Sequence, residues 1–277
     1  MKFALLGASK TGTSIAYHLW KQENQPVFLW NRSKPHLMRT LRYVPFEQST
    51  IDMSHYTRDC ELIIISVADN AIEPVAKSFF QHQKDQHQTK IIHTSGALDS
   101  SILSCWENTG SLHPVISISS IEEGLQQLPH TTFTCEGKIA EDLVKIATSI
   151  GKKGLILTGQ QKQYIHLSAV FMNNYLSGMV EKIKIMNSEA GISKPETADI
   201  LEQISLQTLT RSWSENLTET LTGPIKRGDT ETIKKHLDIL ANDDLFQQLY
   251  KNFGNILVKF VNHDRETGKQ LEDLLKK

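Results

Sequence analysis

Short apolar runs alternate with amphipathic stretches through the first half of the chain. The runs Lys2–Gly7, Pro26–Asn31, Glu61–Val67, Lys90–Thr94, Gly110–His113, Thr131–Cys135 and Gly154–Thr158 read as strands. Several are apolar at consecutive positions, the pattern of strands covered on both faces. Helical periodicity lies between them, as at Gly12–Gln22 and Ile139–Ile150. A β–α alternation of this kind predicts an α/β fold with a parallel, doubly wound sheet.

The rhythm changes after Thr158. Helical patterns cover roughly Gln161–Ala190, Pro195–Thr210, Glu231–Leu240 and Asp244–Asn262. Gly191 ends the first, and Ser193 followed by Pro195 suits the start of the second. Only Leu221–Asp229 (LTGPIKRGD) is rich in turn residues. The expected organisation is a nucleotide-binding sheet domain over 1–159 and an all-helical domain over 160–277. A chain of 277 residues has room for two domains.

Composition narrows the partners. A net charge of −1 gives no electrostatic footprint for nucleic acid or an anionic membrane. The longest apolar stretches, such as Leu62–Val67, fall far short of a membrane span. The apolar start runs straight into the Gly7 turn, which suits a first strand better than a signal peptide. Cys60, Cys105 and Cys135 lack paired spacing, so neither a disulfide framework nor a metal cluster is expected. A cytoplasmic protein with reduced thiols is the simplest expectation.

The stretch Gly7-Ala8-Ser9-Lys10-Thr11-Gly12 joins the first strand to the first helix. It matches a dinucleotide-binding turn except that Ser9 replaces the middle glycine. Gly7 would make the tight turn, Gly12 would allow close helix–strand packing, and the helix N-terminus would face a pyrophosphate. Ser9 is small, and its hydroxyl can donate to phosphate. The second strand ends in Asn31-Arg32-Ser33-Lys34 where an NAD-specific fold more often carries a carboxylate. Donors and positive charge there suit a 2′-phosphate, so NADP(H) is the expected cofactor.

Later strand ends add candidates. Val67, Ala68 and Asp69 would lie near a ribose; Ser95 and Gly96, in His93–Leu98, and His113 could face a nicotinamide. In the first long helix, Lys162, His166, Ala169 and Asn173 stand at offsets of 4, 7 and 11. At about 100° per residue those offsets return to within roughly 40° of one direction. One helix face thus offers an amine, an imidazole and an amide, groups that can protonate an alkoxide and hold a carboxylate. Within the later turn, Thr222 and Arg227 are candidate substrate contacts, and Asp229 is placed to cap the following helix.

The motifs LLGASKTG, WNRS, SVADNAI, HTSGAL, GSLHPVISIS, YIHLSAVFMNNYL and LTGPIKRGD occur in an order that resembles the Rossmann-like proteins with a C-terminal DUF2520 domain. The resemblance spans nearly the whole chain. It implies kinship with pyrroline-5-carboxylate reductase, 6-phosphogluconate dehydrogenase and ketopantoate reductase, an NADP-binding Rossmann-type domain, and a homodimer formed through the helices. It is similar to the alternative ketopantoate reductase branch, which implies reduction of a small 2-keto acid, 2-dehydropantoate, in pantothenate biosynthesis. Familiar ketopantoate reductases carry lysine followed four residues later by asparagine; here Lys162 is followed by His166, and Asn173 and Asn174 come later. His166 or Lys162 is thus the expected proton donor, with Asn173, Asn174 and His113 orienting substrate. An imine reductase of the pyrroline-5-carboxylate type and a non-catalytic NADP-binding regulator are the alternatives.

Overall fold

The computed structural model describes residues 1–56, 59–82 and 88–276. The chain divides into two compact units, 1–180 and 181–277. The division falls later than the 159/160 boundary expected from the sequence. The physical reason is that the helix beginning at Gly159 sinks its Lys162 side chain among the sheet's own loops.

The first unit is an eight-stranded sheet: β1 (Lys2–Leu6), β2 (Gln25–Trp30), β3 (Gln48–Thr50), β4 (Leu62–Ile65), β5 (Lys90–His93), β6 (Asn108–Pro114), β7 (Thr132–Gly137) and β8 (Lys153–Ile156), in the order β3-β2-β1-β4-β5-β6-β7-β8. Strands β1 to β6 run parallel; β7 pairs with β6 antiparallel, and β8 follows β7. The far edge therefore departs from the all-parallel expectation. β3 was not legible as a strand, because Gln48-Ser49-Thr50 has no apolar face to signal it.

Residue parity along β1 shows why the strand sequences are apolar throughout. Phe3 and Leu5 enter one core with Ile15, Leu19 and Ile64, whereas Ala4 and Leu6 enter the other with Ile63, Ile65 and Phe28. Each face is covered by helices: α1 (Lys10–Lys21), α2 (Lys34–Leu41), α3 (Ile72–Phe80), α4 (Ile121–Gln127) and α5 (Ala140–Ile150). Burying one such aliphatic side chain contributes about 1.5–3 kcal/mol, so the two cores dominate this unit's stability. The strand order reverses between β1 and β4, where ligands bind open sheets of this type.

Helix α6 (Gly159–Val170) opens on a capping box, with Thr158 and Gln161 satisfying each other's backbone N–H groups. The long helix expected over 161–190 is interrupted by a π-helical turn, Phe171–Tyr175, before α7 (Leu176–Glu189).

The second unit continues with α8 (Lys194–Ser214), α9 (Leu217–Thr220), α10 (Gly223–Arg227), α11 (Thr230–Ile239), α12 (Asp244–Val258) and α13 (Arg265–Leu275). The LTGPIKRGD stretch is thus not only a turn; it holds α10, which Gly228 ends in the left-handed conformation. The last helix was not read from the sequence. The unit's core is small, built from Ile225, Ile233, Val258, Leu271 and Leu275. Among the described residues no helix is long and apolar enough to cross a membrane.

Candidate active site

The carboxyl ends of β1, β4, β5 and β6 share one edge of the sheet and carry most of the sequence candidates. Gly7 has φ +103°, and a Cβ there would lie 2.3 Å from the Ser66 carbonyl oxygen. Only glycine makes this turn. At Gly12 a Cβ would stand 2.5 Å from that of Ser66, so α1 reaches β4 only because residue 12 lacks one.

Ser9 has a different task from the one its place in the motif suggested. Its Oγ accepts from Gly12 N at 2.9 Å, capping α1, and shares a 2.6 Å hydrogen bond with Ser66 Oγ. Ser66 Oγ in turn pairs with Thr94 Oγ1 at 2.7 Å. The hydroxyl is absorbed into a chain across three strand ends. The backbone N–H groups of Lys10 and Thr11, in the first turn of α1, have no intrahelical acceptor and are left for an anion.

Asn31 also turns inward. Its Oδ1 accepts from Ala8 N at 3.1 Å, and its Nδ2 donates to Ser33 O at 2.9 Å, so it clamps the glycine turn to the second strand's end. Arg32 is exposed, and the Ser33 hydroxyl makes no capping bond to α2. Arg39, absent from the sequence candidates, reaches back from α2 to donate from Nη2 to Ala8 O at 3.1 Å. Its Nε is buried without a partner among the described residues. The turn that would face the pyrophosphate therefore carries a cation with an unspent donor. No motif spacing marks Arg39, because it reaches the turn through tertiary packing.

After β4, Val67 packs on Gly7, whereas Ala68 and Asp69 are exposed. After β5, Ser95 Oγ accepts from the N–H groups of Ala97 and Leu98, which shapes the loop from within. His93 is wholly buried, accepts from Ser95 N through Nδ1, and faces Asp99 O through Nε2. Burial, with Lys162 adding to it, pushes His93 down to about 3. It is a neutral packing residue.

His113 and His166 do come together. Their ring centroids lie 6.2 Å apart at 73°. His113 Nδ1 lies 3.0 Å from Thr94 O, a contact in which that nitrogen must donate, and its Nε2 is left as an acceptor. Burial pushes His113 down to about 4, with the Lys162 and His166 charges lowering it further. Between the rings stands Gly96: a Cβ there would meet His113 Nε2 and His166 Nδ1, each at 2.7 Å. Gly96 is buried, and both imidazoles pack directly against it, with no room for a side chain between them.

Lys162 is only 1% exposed. Its Nζ donates to Leu98 O and Ser111 Oγ. Burial pulls its ammonium down to about 8, against the Glu136, Asp99 and Asp69 charges that raise it. Lys162 and His166 share a face as expected. A π turn at Phe171–Tyr175 then interrupts the α-helical phase on which the Asn173 offset is counted. Asn173 and Asn174 are exposed there, and Asn173 Nδ2 donates to Asn174 Oδ1 at 2.9 Å.

In the second unit Thr222 is exposed, and the Arg227 guanidinium stands 3.8 Å from Asp229. Asp229 caps α11 by accepting from Thr232 N and Oγ1.

Comparison with known proteins agrees with this architecture. No curated protein matches the chain. Among solved structures it is similar to the NADP-oxidoreductase candidate BF3122 from Bacteroides fragilis: 22% identity, TM-score 0.71, covering 92% of this chain and 96% of that one. Protein TM1727 from Thermotoga maritima is 20% identical with TM-score 0.73, covering 96% and 98%. An imine reductase from Myxococcus stipitatus in complex with NADP+ is 12% identical with TM-score 0.63, covering both chains fully. Residues 1–118 match the Rossmann-like domain, and residues 131–256 match the domain of unknown function DUF2520. The two matches stand in the order that the sequence motifs implied: the chain joins a Rossmann-like domain to a DUF2520 domain.

Proposed function

We propose that the protein is an NADPH-dependent reductase of a small 2-keto acid, with 2-dehydropantoate as the specific candidate. The observation that carries this reading is the His113–His166 pair at the carboxyl edge of the sheet, with ring centroids 6.2 Å apart. A carbonyl that becomes an alcohol needs one group to give its oxygen a proton and another to receive the new hydroxyl's hydrogen bond.

The cofactor's binding residues fit the chain. Gly7, Ala8, Ser9, Lys10, Thr11 and Gly12 form the pyrophosphate turn, with Lys10 and Thr11 N–H as donors and Arg39 beneath. Arg32 and Ser33, held in place by Asn31, receive the 2′-phosphate. Val67, Ala68 and Asp69 border the ribose, and Ser95 and Gly96 the nicotinamide side. When bound, NADPH supplies a hydride.

The chain's own residues supply the rest. As the carbonyl carbon gains the hydride, the C=O π pair moves to oxygen, and His166 gives that oxygen a proton. His113 is held neutral with its Nε2 lone pair free of the Thr94 contact, so it accepts from the product hydroxyl. Asn173 and Asn174, on the π turn that follows α6, are proposed to orient the substrate.

A second copy of the chain belongs to this reading. Helix α8 buries Thr197 alone and leaves Ile200 64% and Trp213 76% exposed, together with Ile204 and Leu206. Ile200 and Ile204 share one side of the helix and Leu206 and Trp213 the other; exposed apolar surface of this kind suits burial against a second copy.

The similarity to imine reductases favours a second reading, in which a C=N bond is reduced. His166→Ala separates the two. A ketone reductase loses at least about 100-fold in kcat with its proton donor, whereas an imine, whose nitrogen is protonated before it binds, loses little. NADPH consumption with 2-dehydropantoate and with pyrroline-5-carboxylate is the assay. Tight NADPH binding without turnover of either would leave the regulator as the reading.

A further inference from the structure

The sequence offers Lys162 as a proton donor; its surroundings point elsewhere. The side chain is almost wholly buried, and two of its three N–H bonds are spent within the protein, on Leu98 O and Ser111 Oγ. These partners lie on two different segments. Leu98 is in the loop after β5, two residues beyond Gly96. Ser111 is in β6, two residues before His113 and on the same side of the strand. Lys162 itself lies one helical turn before His166 on α6.

The ammonium thus joins the three segments that carry Gly96, His113 and His166, and it touches none of those residues through the hydrogen bonds it makes. We propose that Lys162 is a positioning residue, a three-way pin that sets the spacing of the two imidazole rings. This rests on the reading that the imidazole pair acts on the substrate.

The pin has its own support. Glu136 of β7, whose charge acts on Lys162, is fixed by Ser100 N and Oγ, both at 2.8 Å. Asp99 and Asp69 add negative charge, and His93 and His113 lie within the ammonium's field. Around His113 the charged groups are Lys162 and His166 of α6 and Asp69 from the turn after β4. A fixed cation nearby also disfavours a positive charge on the His113 ring.

The test needs no substrate. Imidazole C–H resonances of His113 and His166 are followed by NMR against pH in the wild-type chain, Lys162→Met and Ser111→Ala. Lys162→Met should raise the His113 midpoint by about one pH unit and displace both histidines' resonances at high pH, where neither ring is charged. Ser111→Ala keeps the cation but removes one anchor. It should displace the same resonances, and it carries the test if Lys162→Met fails to fold. A role confined to stability would lower the melting temperature and leave both histidines' titrations and shifts unchanged; that result overturns the pin. Should the histidines respond while the wild-type chain reduces neither keto acids nor imines, the pin stands and the reductase reading fails.

Discussion

The two units use apolar residues in opposite ways. In the sheet unit, β1 and β4 bury nearly every side chain they carry, and the cores on either face are complete within that unit. In the helical unit, α8 runs for 21 residues with a single buried residue, and that one is a threonine. The sheet can organise a cofactor turn and an imidazole pair from its own packing. The helical unit carries apolar surface that asks for a cover. On the proposed reading, the first unit carries the chemistry and the second the assembly.

The largest break in that comparison is at assembly. Replacing Ile200 and Ile204 by Glu and Ser should convert the proposed dimer to a monomer by light scattering, with NADPH binding by the sheet unit retained. Loss of cofactor binding together with assembly would show that the division of labour is wrong.

Gly96→Ala is the next largest. The new Cβ would stand 2.7 Å from two imidazole nitrogens, so the rings must move. Misplacing reacting groups by about 1 Å costs on the order of 100-fold in rate. The expected outcome is that loss in kcat with NADPH affinity and melting temperature nearly unchanged.

Arg32→Ala should raise the Kd for NADPH about tenfold, the loss of one charge-assisted phosphate contact, and leave that for NADH unchanged. Equal losses for both would remove Arg32 from the 2′-phosphate site.

A stability slope in acid bears on the sheet unit alone. His93 and His113 are held down at about 3 and about 4. Below pH 6.5 the unfolded chain binds protons at these positions that the folded chain refuses. Stability therefore falls as pH falls from 6.5 toward those values, by up to about 1.4 kcal/mol per pH unit for each histidine. Thermal melts of wild type and His93→Asn between pH 7 and 4.5 should converge as the pH is lowered. Parallel curves would mean that His93 titrates normally in the fold.

How much of this the sequence discloses depends on the range of the interaction. The sheet was legible because fully buried strands write their burial into consecutive residues, as Leu62 to Ile65 do. The turn at Gly7 was legible because backbone geometry there tolerates one residue type. The reversal of β7 was not, because a strand's sequence does not record its direction. Helical spacing brought Lys162 and His166 to one face, but it does not foresee the π turn that shifts the phase around Asn173. Ser9, Asn31 and Arg39 show the same limit from another side. Motif position marks the first two as ligand contacts, whereas their hydrogen bonds hold the turn together. The third enters only through α2 packing.

The most direct test of the central claim is the rate of NADPH oxidation across a panel of small 2-keto acids, 2-dehydropantoate among them, in wild type and His166→Ala. The account predicts turnover by the wild-type chain and a loss of at least about 100-fold in the variant with NADPH affinity kept. Equal rates in the two proteins, or firm NADPH binding with no keto acid reduced by the wild type, would contradict it.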